Sequence, residues 1–292
     1  MSKLQDLIVK GRITEGYRLF IYGQHGIGKS TFAASAPEPL FLDPQMGTKY
    51  LDCERIPVGS WESLNAVTDM FVEDTMGFKT LVIDELGALE QMLWSETAAA
   101  HKKKSIEDFG YGKGYVIVEQ EWRKLMVKLN AVSELGINVI LIGHSEVRGF
   151  KNPTGGDYDR YQVALHKKAS PIISQWADAV LFCQYKTYAA QHVSDDNRYT
   201  GISTGERVIC TGFKAEFDAK NRFDLPAEMP LEWEAFERYV QPIDPAAIEQ
   251  EIRDILSTWD EGPKKDKALE YVAERSGHAG KLSKLLNKVK ES

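Results

Sequence analysis

Short apolar runs alternate with amphipathic stretches along most of the chain. Leu19-Phe20-Ile21-Tyr22 predicts a strand ending at Gly23, and Leu40 to Asp43 a second after the breaker Pro37-Glu38-Pro39. Ser60 reads as the N-cap of a helix with Leu64, Val67, Phe71 and Val72 on one face. Thr80-Leu81-Val82-Ile83-Asp84 is apolar on both faces up to its terminal acid, the pattern of a strand buried in a parallel sheet. Trp122, Leu125, Met126 and Leu129 mark a helix leading into a strand over 138–142. A helix over about 171–177 leads into a strand over 179–185. Residues 187–193 and 207–213 then read as hairpin strands around a polar loop, 194–206. Strands alternating with helices predict an α/β fold with a mostly parallel sheet and an antiparallel extension.

Near residue 243 the pattern changes. Asp244-Pro245 is an N-cap followed by a proline at the first helical position, and Ile248, Ile252, Ile255 and Trp259 follow at helical spacing. Gly262-Pro263 breaks the chain. Two further short helices, separated by Gly277 and Gly280, end in the stripe Leu282, Leu285, Leu286 and Val289, with Lys281, Lys284 and Lys288 on the polar side. The expected organisation is a core over 1–243 and a small basic helical domain over 244–292.

The chain has 292 residues, with 36 Lys+Arg against 43 Asp+Glu and a net charge of −7. As a whole-chain figure this argues against a nucleic-acid partner. Residues 263–292 carry 8 basic and 4 acidic residues, so the remainder stands at −11. Cys53, Cys183 and Cys210 are far apart and outside any C-x-x-C, which predicts free thiols in a reducing cytoplasm and no zinc site. No apolar run approaches the roughly 18 residues of a membrane span, and residues 1–10 lack the apolar stretch of a signal peptide.

Gly23-Gln24-His25-Gly26-Ile27-Gly28-Lys29-Ser30 fits G-x-x-x-x-G-K-[ST] at every fixed position, after a predicted strand and before a predicted helix. Glycines at this spacing let backbone N–H groups close around phosphate oxygens. Residues 23–30 and Thr31 are the candidate nucleotide contacts, with Lys29 for the β- and γ-phosphates and Ser30 for Mg²⁺. Asp84 ends its strand at the carboxyl edge of the sheet and is the candidate second Mg²⁺ residue. Val139 to Gly143 is a third such strand and ends in His144-Ser145. His144 is either a sensor of the γ-phosphate or a polar strand end bonded locally.

These motifs, with Ser105 to Tyr115, Leu165-His166-Lys167-Lys168-Ala169 and Asp218-Ala219-Lys220-Asn221-Arg222, give the chain a resemblance to the phage-encoded AAA/RecA-like ATPases that include the Sak-type annealing recombinases. The resemblance spans about 16–242. It implies a RecA-like P-loop core using ATP and Mg²⁺, and single-stranded DNA binding in phage recombination. It also implies the cytoplasm of an infected or prophage-carrying bacterium, with a single-strand-binding protein as a candidate partner. Lys220-Asn221-Arg222 is similar to the K-x-R element of DnaB-type helicases and KaiC-like ATPases. There the two cations reach the γ-phosphate of a neighbouring subunit, which implies a homo-oligomer, ring or filament; the other reading is a solvated basic turn. The family's Asp-Thr-Glu-Gly is replaced by Asp43-Pro44-Gln45-Met46-Gly47. The attacking water then falls to Glu85 or to Gln45, unless hydrolysis is slow and ATP is an assembly switch.

In a RecA-like sheet the loops over 101–115 and 146–168 would line the inner surface of the assembly. Together they hold 9 basic and 5 acidic residues. Lys102, Lys103, Lys104, Lys113, Tyr115, Arg148, Lys151, Arg160, Lys167 and Lys168 are the candidate nucleic-acid contacts, cations for phosphates and aromatics for bases. The plainer reading is a pair of solvated loops. Rival functions are a helicase or packaging-type motor on the same core, a nucleotide-gated interaction module, and a small-molecule kinase. Against the kinase, no arginine-rich lid follows the acidic strand.

Overall fold

The structure, a computed structural model, describes residues 15–192, 195–240, 245–259 and 262–274, together with Leu285 and Val289. Strand β1 (Arg18–Gly23) runs through residues 24–28 into helix α1 (Lys29–Ala34). Strands β2 (Pro39–Asp43) and β3 (Glu54–Pro57) precede α2 (Trp61–Glu73), where the Ser60 hydroxyl accepts from the Ser63 N–H in a capping box. Strand β4 (Thr80–Asp84) leads through Glu85 into α3 (Leu86–Ala100). A 3₁₀ turn (Ile106–Phe109) and α4 (Lys113–Glu134) follow. Then come β5 (Asn138–Phe150), β6 (Tyr158–Val163), α5 (Ala169–Trp176), β7 (Ala179–His192), β8 (Asp195–Cys210), β9 (Glu228–Pro230) and α6 (Trp233–Val240).

The strands form one sheet in the order β3-β2-β4-β5-β1-β7-β8-β9, with β6 paired to the outer half of β5. Pairing is parallel from β3 to β7 and antiparallel at β7-β8-β9 and β5-β6. This is an α/β, RecA-like architecture. Its centre is apolar on both faces because helices cover both. Phe20, Tyr22, Leu81 and Ile83 face the layer built from α2 to α5, whereas Leu19, Ile21, Val82 and Ile142 face α1 and α6. Strand β5 lies between β1 and β4, so the residue that ends its in-sheet half stands between the glycine loop and the terminal acid.

Several expectations need correction. The segment 146–168 is not a loop: β5 continues past His144 and pairs with β6, Ser145 opposite Val163 and Phe150 opposite Tyr158. Lys113 and Tyr115 lie in the first turn of α4, not in a loop, after the turn Gly110-Tyr111-Gly112, all at positive φ. The polar stretch from 195 is strand, because antiparallel pairing to β7 uses backbone groups that polar residues supply as well as apolar ones. Helix α3 was not expected, although Leu86, Leu89 and Leu93 carry helical spacing.

The chain divides into two compact units, one covering residues 15–240 and the other containing α7 (Pro245–Ser257) and α8 (Pro263–Glu274). In the second, Ile252 and Leu256 pack with Ala268, Val272 and Val289. Gly277, Gly280, Leu282, Leu286 and the lysines 281, 284 and 288 lie outside the described residues. Among the described residues no helix is long and apolar enough to cross a membrane.

Candidate functional site

The loop between β1 and α1 is shaped by its glycines. A Cβ on Gly23 would stand 2.3 Å from the Cys183 carbonyl oxygen of neighbouring β7, so only glycine lets the two strands approach there. Gly28 has φ of +111°, which a side chain resists, and a Cβ on it would lie 2.7 Å from Arg207 Nη1. Ile27 is fully buried and anchors the loop below, while Gln24, His25, Gly26 and Thr31 are exposed.

Lys29 is only 5% exposed. Its ammonium donates to the carbonyls of Gly23 (3.0 Å) and Gln24 (2.8 Å) and lies 3.3 Å from His144 Nδ1, so its three N–H donors have three acceptors. Burial lowers its pKa, opposed by the charges around it. His144 ends the in-sheet half of β5, and its ring stacks on that of His25 with centroids 3.6 Å apart. Burial first, then the charges of Lys29 and His25, push the His144 imidazole down to about 4. It is therefore neutral near pH 7. Its Nδ1 faces the Lys29 ammonium, and its Nε2 lies 3.9 Å from a Glu85 carboxylate oxygen.

The Ser30 hydroxyl donates to the Asp84 carboxylate. Burial raises the Asp84 carboxyl above its ordinary range, partly offset by that bond. A hydroxyl and a carboxylate side by side at the end of β4 are hard oxygen donors, a set that suits a divalent cation such as Mg²⁺. Glu85 follows across a cis peptide, and its carboxylate accepts from the N–H groups of Gly87 and Ala88, both at 2.9 Å, capping α3. Asp43, at the end of β2, is fixed by Thr48 Oγ1 and by the N–H groups of Gln45, Gly47 and Thr48. Burial alone would raise the Asp43 carboxyl, but these bonds together hold it below the usual carboxylate range. The Gln45 side chain points to solvent, and its backbone alone is tied down.

Lys220 pairs through its backbone with Val180, level with Phe20 of β1, and Arg222 lies at the start of that strand. The Lys220 ammonium donates to the carbonyls of Ser174, Gln175 and Ala177, closing the C-terminus of α5. Arg222 pairs with Asp178 at 3.1 Å, and Asp178 also pairs with Arg18 at the start of β1. Arg222 is nevertheless exposed and Lys220 half-buried, and neither cation bonds to the phosphate loop of its own chain.

The nucleic-acid candidates separate into two groups. Lys102, Lys103, Lys104, Lys113, Lys151 and Lys167 are exposed. Arg148 is paired with Glu146 and Lys168 with Glu119, while Tyr115 donates its hydroxyl to Glu107 and stacks on His166 at 4.0 Å. Arg160 is 6% exposed, bonded to Asp218 at 2.6 Å and packed against the rings of Phe150 and Phe213. It is a brace between the β5–β6 hairpin and the segment before Lys220, which leaves it unavailable as a surface contact.

Sequence reasoning missed Glu90. This α3 residue is buried, and its carboxylate oxygens accept from the His166 N–H at 2.9 and 3.2 Å. Burial pushes its carboxyl from 4.5 up to about 7, with the His166 bond opposing. A carboxyl raised in the folded state contributes stability that is fully present below about 4.5 and is lost as pH rises through about 7. Relative to Glu90→Gln, the wild type is expected to lose about 3 kcal/mol between about pH 4.5 and pH 8, read from urea midpoints. Parallel profiles for the two proteins would show that Glu90 ionises as freely as in the unfolded chain.

Loop, ammonium, hydroxyl and terminal acid together define a P-loop nucleotide-binding protein of the RecA-like class. A family model described as AAA domain matches residues 15–223, and the chain belongs to that family. No curated protein matches the sequence. Among solved structures, the chain is similar to a KaiC-like protein of the hyperthermophilic archaeon Pyrococcus horikoshii. The identity is 14%, covering 67% of this chain and 79% of that one, with a TM-score of 0.38.

Proposed function

We propose that the chain is a Mg²⁺–ATP hydrolase that engages single-stranded DNA as a homo-oligomer and promotes annealing or strand pairing in phage recombination. The observation that supports the nucleotide part is the convergence of Lys29, Ser30 and Asp84 at the ends of β1 and β4. In this reading the loop N–H groups and Lys29 hold the phosphates, and Ser30 and Asp84 hold Mg²⁺, which supplies neutralisation of the developing charge. Glu85 acts on the attacking water. Neither Lys220 nor Arg222 bonds to the loop of its own chain, and in this reading their γ-phosphate contact is to a neighbouring copy, after release from the α5 end carbonyls and Asp178.

Strand β5 supports coupling between nucleotide and DNA. One continuous element carries His144 at Lys29 and Arg148 in the hairpin. A neutral His144 exchanges the Lys29 ammonium for a different partner when phosphate draws that ammonium away, and β5 carries the adjustment outward. The DNA part rests on the exposed lysines. Lys113→Ala with Lys151→Ala is expected to lower the salt dependence of single-strand binding by about 1.4 in log–log slope, roughly 0.7 for each lost phosphate contact. Fluorescence anisotropy of a labelled oligonucleotide across a salt series measures it, and an unchanged slope would remove these lysines from the site. Arg160 is unsuitable for such a test, because its buried guanidinium braces the hairpin and its removal would disturb the fold as well as any contact with DNA. Unwinding of a forked duplex by the wild type would instead favour the motor.

A further inference from the structure

We infer that Arg207 is a positioning residue for the nucleotide loop, acting from outside the loop by holding the Ile27–Gly28 peptide in one orientation. The inference rests on the nucleotide reading of residues 23–31. Arg207 lies near the end of β8, where its own carbonyl accepts from the Leu231 N–H at 3.1 Å and fixes its backbone. Its Nη1 donates to the Ile27 carbonyl at 3.3 Å across 180 residues of sequence. The same nitrogen occupies the space that a Cβ on Gly28 would need. The residue is exposed, and its guanidinium forms no ion pair among the described residues. Its charge is therefore not consumed by a carboxylate.

A trans peptide points its carbonyl and its N–H in opposite directions. Fixing the Ile27 carbonyl on Arg207 turns the Gly28 N–H to the opposite side of the peptide, away from the guanidinium. An anion is held by successive N–H groups that converge, and a peptide free to rotate presents a carbonyl oxygen as readily as a donor. A charge-assisted bond to the carbonyl also polarises the peptide and strengthens its N–H as a donor. Glycine at position 28 answers the positive φ and leaves room for the guanidinium beside it.

The test is equilibrium binding of a non-hydrolysable ATP analogue and of ADP, each with Mg²⁺, to the wild type, Arg207→Met and Arg207→Lys, beside the thermal midpoints of the ligand-free proteins. Methionine keeps the packing and removes the donor. It is expected to weaken both ligands about tenfold, the cost of ordering on binding one peptide that the lost bond no longer holds. Lysine, which supplies a single donor, is expected to restore affinity to within about threefold. Ligand-free midpoints should agree within about 1 °C, because the bond orders an exposed loop rather than the core. Wild-type affinity in Arg207→Met would overturn the assignment, as would a loss in both variants that follows a lowered ligand-free midpoint. A wild type that does not bind the analogue would overturn the nucleotide reading and this inference with it.

Discussion

Lys29→Ala is expected to reduce ATP turnover by about 100-fold or more, the effect of removing one preorganised donor from a site where charge develops. The magnitude follows from placement. The ammonium is buried beside the loop, and a phosphate arriving there takes one of its donors in exchange for a bond it now makes to Gly23, Gln24 or His144. Alanine leaves the carbonyls of Gly23 and Gln24 without that donor; water replaces the bond at exposed Gln24, whereas Gly23 is buried. Folding stability should therefore fall by about 1–3 kcal/mol while analogue binding weakens. Steady-state hydrolysis beside analogue affinity measures both, and wild-type turnover in the variant would mean that residues 23–31 are not the catalytic loop.

Glu85→Gln is the second large effect, an expected loss of about 100-fold or more in turnover with analogue binding close to wild type. Glutamine keeps an acceptor for the cap of α3 but cannot take a proton from water. The two cap bonds leave lone pairs on the Glu85 carboxylate, which offers about four acceptor positions. Its location between Asp84 and His144 suits a water next to the phosphates. If Glu85→Gln keeps full turnover, the carboxylate serves only as a helix cap and Gln45 becomes the candidate for orienting water. If the wild type itself hydrolyses slowly and Gln45→Glu raises the rate, ATP acts chiefly as an assembly switch.

The nucleotide loop was legible because its requirements are local. A strand, glycines at fixed spacing, Lys29 and Ser30 all fall within one short stretch of chain. The same holds for β4, whose apolar run ends in Asp84, and for α2, whose start is set by Ser60. Contacts between distant segments were not legible. Arg160 reads as a loop cation, yet its burial depends on Asp218 and on the ring of Phe213. Lys220 reads as a finger or as a solvated basic turn, and its bonds to the carbonyls at the end of α5 emerge only from the fold. Arg207 belongs to no motif, and only the fold brings β8 against Ile27. The β5–β6 hairpin was hidden for another reason. Its residues mix charge with apolar positions, so the continuous apolar signal stops at Ile142 although the strand continues to Phe150.

The account stands on Mg²⁺–ATP binding at the loop, and calorimetric titration of a non-hydrolysable ATP analogue into the wild-type chain tests it most directly. The expected result is one nucleotide per chain, bound at least about tenfold more tightly with Mg²⁺ than with a chelator. Ser30→Ala should remove most of that difference. Absence of binding with Mg²⁺ would contradict the account, as would an affinity indifferent both to the metal and to Ser30.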